Sequence, residues 1–259
     1  METMRAVRLY RDGLVVEELE VPRPGAGEAL VRVTAAALTR DELAWPADRL
    51  PAIPSYELSG VVADTAPDVG YVAAGDEVFA LMPFDRDGCA AEFALVPAAV
   101  LAPKPHSLTH VESAALTLAG LSAWQGLFAH GGLSEGERVR VTGASGGVGH
   151  LAVQLARGQL AAADGPSELV FDTVGGEVLL ASLGSAGRVV SVAEEVDGAT
   201  YFVVEPSRKQ LVELARLADA GELRPVIDSV FPLEQASAAF ARLAERGKRG
   251  KVVLQVTDD

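Results

Sequence analysis

The chain reads as an α/β plus all-β protein in two domains, and three observations lead there. Short alternating segments broken by Gly and Pro fill its first hundred or so residues. Near residue 110 the texture turns Ala- and Leu-rich with helical spacing. Beyond that point a strand runs through a glycine turn into a helix, and strands and helices alternate afterwards, the pattern of a parallel sheet.

Segments 5–10, 15–21 and 29–36 alternate with period two and are separated by RDG and the turn-rich VPRPGAGE. LSGVVAD (58–64), GDEVFAL (75–81) and AAEFALVP (90–97) continue the series at intervals too short for helices, so they predict a compact β unit. VESAALTLAGLSAWQGLFAH (111–130) predicts one long helix. A strand at 137–143, a helix at 147–157 and strands at 168–173 and 187–193 follow, with GEVLLASLG as a helix between the last two. SRKQLVELARLADAGEL (207–223) is a helix with Ser207 as its N-cap and Gly221 as its stop. LEQASAAFARLAERG forms another, and KVVLQV closes the pattern as a strand.

Composition narrows the function classes. With 49% hydrophobic and 22% charged residues over 259 positions, the chain has a globular balance and enough length for a large core. A net charge of −14 argues against nucleic acid, whose phosphates call for clustered Lys and Arg. No apolar run reaches the ~18 residues of a membrane span, so no membrane partner is expected. METMRAVRLYRDG has no apolar leader core, which places the protein in the cytoplasm as an expectation. Cys89 is the one cysteine, so no internal disulfide or thiolate-rich zinc lobe can form, and a free buried thiol is expected.

The turn VTGASGGVG (141–149) has a mechanical logic. Glycines allow a tight turn, a close backbone approach to a diphosphate and close packing of helix on sheet. The helix start then offers amide groups to the phosphates. A tight strand–helix turn with no ligand is the alternative reading of the same residues.

LPAIPSYELSGVV, GDEVFAL, AAEFALVPAAVLAPKP, ESAALTLAGLSAWQGLF, VTGASGGVGHLAVQLAR, LVFDTVGG and RGKVVLQV occur in this order. Together they resemble the medium-chain dehydrogenase/reductase superfamily, in its zinc-independent, quinone oxidoreductase-like branch, over nearly the whole chain. The resemblance implies a GroES-like β-barrel domain at 1–112, completed by 225–259, and a contracted Rossmann-type parallel sheet domain at 113–224. It implies NADPH in the cleft between them, with a small hydrophobic carbonyl, enone or quinone as substrate, and a homodimer as one possible assembly. Cofactor contacts are implied for Gly143, Ser145, Gly146, Gly147, Val148, Gly149, Ser122, Asp172, Thr173 and Phe202. Arg249 and Lys251 either approach phosphate or solvate a surface.

In zinc-dependent members of that superfamily a Cys, a His and a second Cys hold the metal. The matching positions here are Thr39, Tyr56 and Ala119, which supply neither thiolate nor imidazole, so no zinc is expected. The histidines His106, His110, His130 and His150 show no metal spacing and read as surface or packing residues. Without a metal, a hydroxyl or a water must meet the oxygen that gains charge as hydride arrives. Thr39, Asp41 and Tyr56 occupy the matching cleft positions. Tyr56 is an acid or oxyanion donor, or it packs beside Pro54. Asp41 orients water, or it caps a helix. Thr39 stands where the branch usually has Asn.

One departure is large. Only 19 residues, His150 to Glu168, separate the glycine turn from the following strand. The family places a second strand, a helix and a third strand there, on the order of 35 residues beyond the helix. The adenosine ribose and the choice between NAD and NADP belong to that segment. Joining the helix directly to the old fourth strand would give a left-handed crossover, against ~98% right-handed cases. Either the strand moves, the helix changes face, or the rare hand is accepted; the family strand order with local adjustment at 157–167 is the expectation. The bared edge of the first strand must be covered or paired. A shorter loop after SVAEE trims a second cofactor-facing surface.

Two function classes follow. One is an NADPH-dependent reductase weakened in cofactor affinity. The other keeps the cleft but not the hydride, as a cofactor-independent cyclase, isomerase or lyase, or as a silent binding relative.

Overall fold

The computed structural model describes residues 2–45, 48–161 and 165–257. In chain order the first part comprises β1 (Thr3–Tyr10), β2 (Gly13–Glu20), β3 (Glu28–Leu38), β4 (Glu57–Thr65), β5 (Glu77–Leu81), β6 (Phe93–Pro97) and β7 (Ala102–Pro103). Helix α1 (His110–Trp124) leads into β8 (Val139–Val141), α2 (Gly149–Leu155), β9 (Ser167–Asp172), α3 (Gly176–Ser182), β10 (Ala186–Ser191) and β11 (Thr200–Tyr201). The chain continues with α4 (Arg208–Asp219), β12 (Ile227–Pro232), α5 (Ala236–Ala244) and β13 (Lys251–Gln255).

A seven-stranded sheet runs β12-β13-β3-β4-β5-β7, with β6 also on β3, and the β1–β2 hairpin pairs separately. β12 and β13 therefore return from the far end of the sequence to the sheet of β3–β7. Long β3 is the reason: it pairs antiparallel with β4 along nearly its whole length on one edge, while β6 and β13 take successive parts of the other. Its alanines Ala35, Ala36 and Ala37 are wholly buried and let neighbouring elements approach closely.

α1 packs between the β3–β5 face of the first sheet and helices α2 and α4. Thr109 and Glu112 form a capping box at its start, Glu112 N–H donating to Thr109 Oγ1 at 3.2 Å and Thr109 N–H to Glu112 Oε2 at 3.0 Å. It is buried nearly all round, as a helix between two layers must be. The helix predicted to residue 130 ends at Trp124, and 125–130 form a wider turn. There the Gln125 side chain donates to Glu205 O and Gln210 Oε1, both at 2.8 Å.

The second sheet is parallel, in the order β11-β10-β9-β8. It keeps the expected family order, and the pairing after α2 falls at 159–161, inside the segment 157–167 expected to adjust. After α2 the chain pairs with the other edge of β8: Val139 N–H donates to Gln159 O at 2.8 Å and Ala161 N–H to Val139 O at 2.9 Å. Arg138 and Arg140 face β9 through their backbone while Val139 faces Leu160. The edge of the first strand, expected to need covering or pairing, is thus paired over one residue, because backbone groups at a sheet edge require partners. Ala162, Ala163 and Asp164 lie outside the described residues. Among the described residues no helix is long and apolar enough to cross a membrane.

Candidate active site

The glycine turn leaves β8 and enters α2 between the two sheets. Gly143 has φ 66°, and a side chain on it would collide with Thr173 Oγ1. A Cβ on Gly149 would sit 2.1 Å from Gly143 O, so the turn closes on itself. A Cβ on Gly147 would come 2.9 Å from Lys251 Cδ. Ser145 is exposed, and its carbonyl accepts Gly250 N–H at 3.1 Å. Gly146 N–H donates to Gly143 O at 2.8 Å, and Val148 sits half-buried at the helix start. The cradle is flanked by Lys251 on one side and by Thr173 and Val174 on another.

His150 fastens this turn to the barrel. Val226 N–H donates to His150 Nε2 at 2.9 Å, so the ring proton lies on Nδ1, which donates to Gly146 O at 2.8 Å. Burial pushes its pKa down. Gln154 adds a second tie: its Nε2 donates to Arg224 O and its Oε1 accepts Arg224 N–H. His110, the other buried histidine, shares a 2.8 Å hydrogen bond with Ser59 Oγ and lies 3.3 Å from Glu77 Oε1. His130 stacks on Phe202 with ring centroids 4.4 Å apart.

Beside the turn lies a buried polar triangle. Lys251 Nζ donates to Glu57 Oε1 at 2.6 Å and to Thr39 Oγ1 at 2.9 Å, while Thr39 Oγ1 donates to Glu57 Oε1 at 2.7 Å. Thr117 of α1 approaches Glu57 Oε2 at 3.4 Å. β13 supplies the lysine, β4 the glutamate and the end of β3 the threonine, so three neighbouring strands converge on one point. The surface-solvating alternative for Lys251 is thereby overturned, since the residue is buried, whereas Arg249 is exposed. Glu42 adjoins the triangle, accepting Thr39 N–H at 3.0 Å on Oε2. Glu57 and Glu42 carried no motif signal of their own; a charged residue inside the apolar run SYELSG was the one hint.

Tyr56 is wholly buried against Trp45 and Phe84, at centroid distances of 5.7 and 5.3 Å. Its hydroxyl meets Arg49 Nη2 at 3.4 Å, and burial pushes the phenol up while the guanidinium pulls it down. Asp41 is exposed at the start of a short 3-10 turn, Glu42–Ala44, with φ 65° and no side-chain capping bond, so the capping alternative fails. Ala119 is buried in α1.

Asp172 ties the ends of the parallel strands together. Its carboxylate accepts Thr142 Oγ1 at 2.5 Å, Ser191 Oγ at 3.0 Å and Gly175 N–H at 2.9 Å. Thr173 Oγ1 donates to Thr142 O at 2.8 Å. These bonds set the rim of the cradle. Ser122 Oγ, buried in α1, has no hydrogen-bond partner among the described residues. An orphaned hydroxyl, and a glycine turn at which Gly146 meets no side chain, fit a phosphate- and ribose-bearing cofactor. Among the described residues no group of three or more His, Cys, Asp and Glu is placed to hold a metal.

Two family descriptions match the chain: alcohol dehydrogenase GroES-like domain over residues 25–106, and zinc-binding dehydrogenase over 150–254. A probable zinc-binding oxidoreductase, mitochondrial, of Arthroderma benhamiae is 30% identical over 309 positions, covering 94% of this chain and 93% of that protein. The mitochondrial NAD(P)H oxidoreductase RTN4IP1 of Mus musculus is 29% identical, covering 86% of this chain and 76% of its own length. The structure of the quinone oxidoreductase from Coxiella burnetii superposes with a TM-score of 0.89 at 25% identity, covering 99% of this chain and 100% of that one.

Proposed function

Because the chain belongs to the medium-chain dehydrogenase/reductase superfamily and is quinone oxidoreductase-like, we propose that it is a zinc-independent NADPH-dependent oxidoreductase reducing a quinone or an α,β-unsaturated carbonyl. The general oxidoreductase character rests on its relatives. The finer reading is supported by one observation: an ammonium, Lys251, hydrogen-bonds Thr39 at 2.9 Å, and the family resemblance matches Thr39, with Tyr56 and Ala119, to the metal-ligand positions of zinc-dependent members.

The cofactor, when bound, supplies a hydride. Gly143, Ser145, Gly146, Gly147, Val148 and Gly149 would hold its diphosphate, and Ser122, Thr173 and Phe202 would line its nicotinamide side, with Asp172 keeping the strand ends in register. Trp45 and Phe84 wall in the Tyr56 ring, apolar surface suited to a flat acceptor. Tyr56 holds the proton for the acceptor oxygen, Thr39 and Lys251 offer hydrogen bonds to developing negative charge, and Asp41 orients water from the exposed side.

The same reading takes the segment between α2 and β9 as shortened. The 309-position match to the Arthroderma relative exceeds this chain's 259 residues, which supports it. Among the described residues only the one-residue pairing of Leu160 with Val139 stands where a second strand would seat the adenosine, so affinity for NADPH is weak. Losing a few charge-assisted hydrogen bonds at about 1.5–3 kcal/mol each costs orders of magnitude. A cytoplasmic location and pairing as a homodimer belong to this proposal; the two curated relatives bear the word mitochondrial in their names. Calorimetric titration with NADPH, then absorbance assays with a quinone and an enone in the presence of a chelator, test it. Binding followed by chelator-insensitive oxidation of NADPH is the expected result. No binding at millimolar cofactor favours the cofactor-independent cleft enzyme instead.

A further inference from the structure

Two non-glycine residues among those described have left-handed backbone, Asp41 at φ 65° and Ser55 at φ 66°. Both serve the same side chain. Asp41 turns the chain immediately before Glu42, and the Ser55 backbone lies beside the Glu42 carboxyl, which accepts the Thr39 amide at 3.0 Å. Non-glycine residues hold such conformations only where their surroundings impose them, and these places gather at functional sites.

Glu42 is 1% exposed, and its Oε1 has no hydrogen-bond partner among the described residues. The groups facing it come from several elements: the Glu57 carboxylate on β4, the Lys251 ammonium on β13, the Cys89 thiol and the Tyr56 phenol. Lys251 is already committed to Glu57 and Thr39. A second naked carboxylate here would be buried, served by a single amide bond and repelled by Glu57. A neutral acid costs far less in such a place. Burial and the Glu57 charge push Glu42 up to about 8, in keeping with the geometry.

We propose that Glu42 is the positioning acid of this site: it carries its proton on Oε1 at neutral pH, keeps the Thr39–Glu57–Lys251 triangle at one ammonium to one carboxylate, and switches reduction off when it releases that proton to solvent. The switching half rests on the oxidoreductase reading above. Negative charge builds on the acceptor oxygen as hydride arrives, and an ionised Glu42 places a further negative charge beside the Thr39 backbone and the ammonium that would stabilise it.

Difference infrared spectroscopy across a pH titration tests the proton directly, and quinone reduction over the same range tests its consequence. Wild type shows a protonated-carboxyl C=O band at neutral pH that disappears with a midpoint near 8, and Glu42→Gln lacks it. Wild-type kcat/KM falls about tenfold per pH unit above that midpoint. The rate of Glu42→Gln, whatever its height, stays level over the same range. Glu57→Gln, which removes the repelling charge, moves the band's midpoint to lower pH and serves where Glu42→Gln does not fold. Absence of the band at neutral pH, or an alkaline loss that survives in Glu42→Gln, overturns the proposal, as does a variant that merely melts earlier. If neither quinone nor enone is reduced at any pH, the oxidoreductase reading falls, while the infrared titration still decides where the proton sits.

Discussion

Lys251 Nζ lies 2.6 Å from Glu57 Oε1, with side-chain exposures of 5% and 0%, and the lysine stem passes over Gly147 on its way there. One residue thus touches both the cradle and the polar triangle. Removing either partner alone strands a buried charge, which costs about 3–5 kcal/mol. Lys251→Met is expected to lose about that much in urea denaturation, and the double variant Glu57→Leu/Lys251→Met to recover most of it. Equal losses in the single and double variants would show that the pair does not act as a unit.

The glycines of the turn differ in what they tolerate. A methyl on Gly149 would meet backbone, Gly143 O at 2.1 Å, whereas one on Gly147 would meet the stem of Lys251 at 2.9 Å, a side chain held at its far end by Glu57 and Thr39. Gly149→Ala is expected to lower stability by about 1–3 kcal/mol, the usual cost of overpacking. Gly147→Ala must displace the Lys251 stem, so it is expected to lower the melting temperature as well as to weaken NADPH binding, read by calorimetry. Unchanged binding would remove Gly147 from the cradle.

His150 gives stability a sign on the acid side. Its folded pKa is depressed by burial, so the neutral ring's bonds to Gly146 and Val226 contribute fully above the unfolded value of about 6.5 and are lost as pH falls through the lower folded value. The melting temperature of wild type should fall more steeply than that of His150→Gln as pH drops below about 6.5. Parallel curves would mean that the ring contributes nothing pH-dependent.

Tyr56 separates stability from turnover. Its hydroxyl makes one 3.4 Å contact with Arg49, so Tyr56→Phe should cost no more than about 1 kcal/mol of stability. As the proposed proton donor it should cost about a hundredfold in kcat. A rate close to wild type would leave Tyr56 as a packing residue in the Trp45–Phe84 cluster.

Part of the fold around this site was legible one residue at a time. The turn from Gly143 to Gly149 declares itself because close backbone approaches at Gly143 and Gly149 leave no room for a side chain. Ser207 capped α4 as its position suggested, accepting Gln210 N–H. Glu42 and Glu57 were silent, because a lone glutamate has no periodicity and looks the same whether solvated or buried. Lys251 was read with two fates open, and only its packing beneath Gly147 chose between them.

Local pattern alone therefore determined the order of strands and helices and the glycine turn, since these depend on neighbours a few residues away. The tertiary structure decided where α2 sends the chain next, pairing Val139 with Leu160, because hydrogen bonding at a sheet edge depends on which backbone happens to lie within reach. It also decided the charge of the site. Thr39, Glu57 and Lys251 are separated by up to 212 positions in sequence, and only folding removes the water that would otherwise keep their interactions weak.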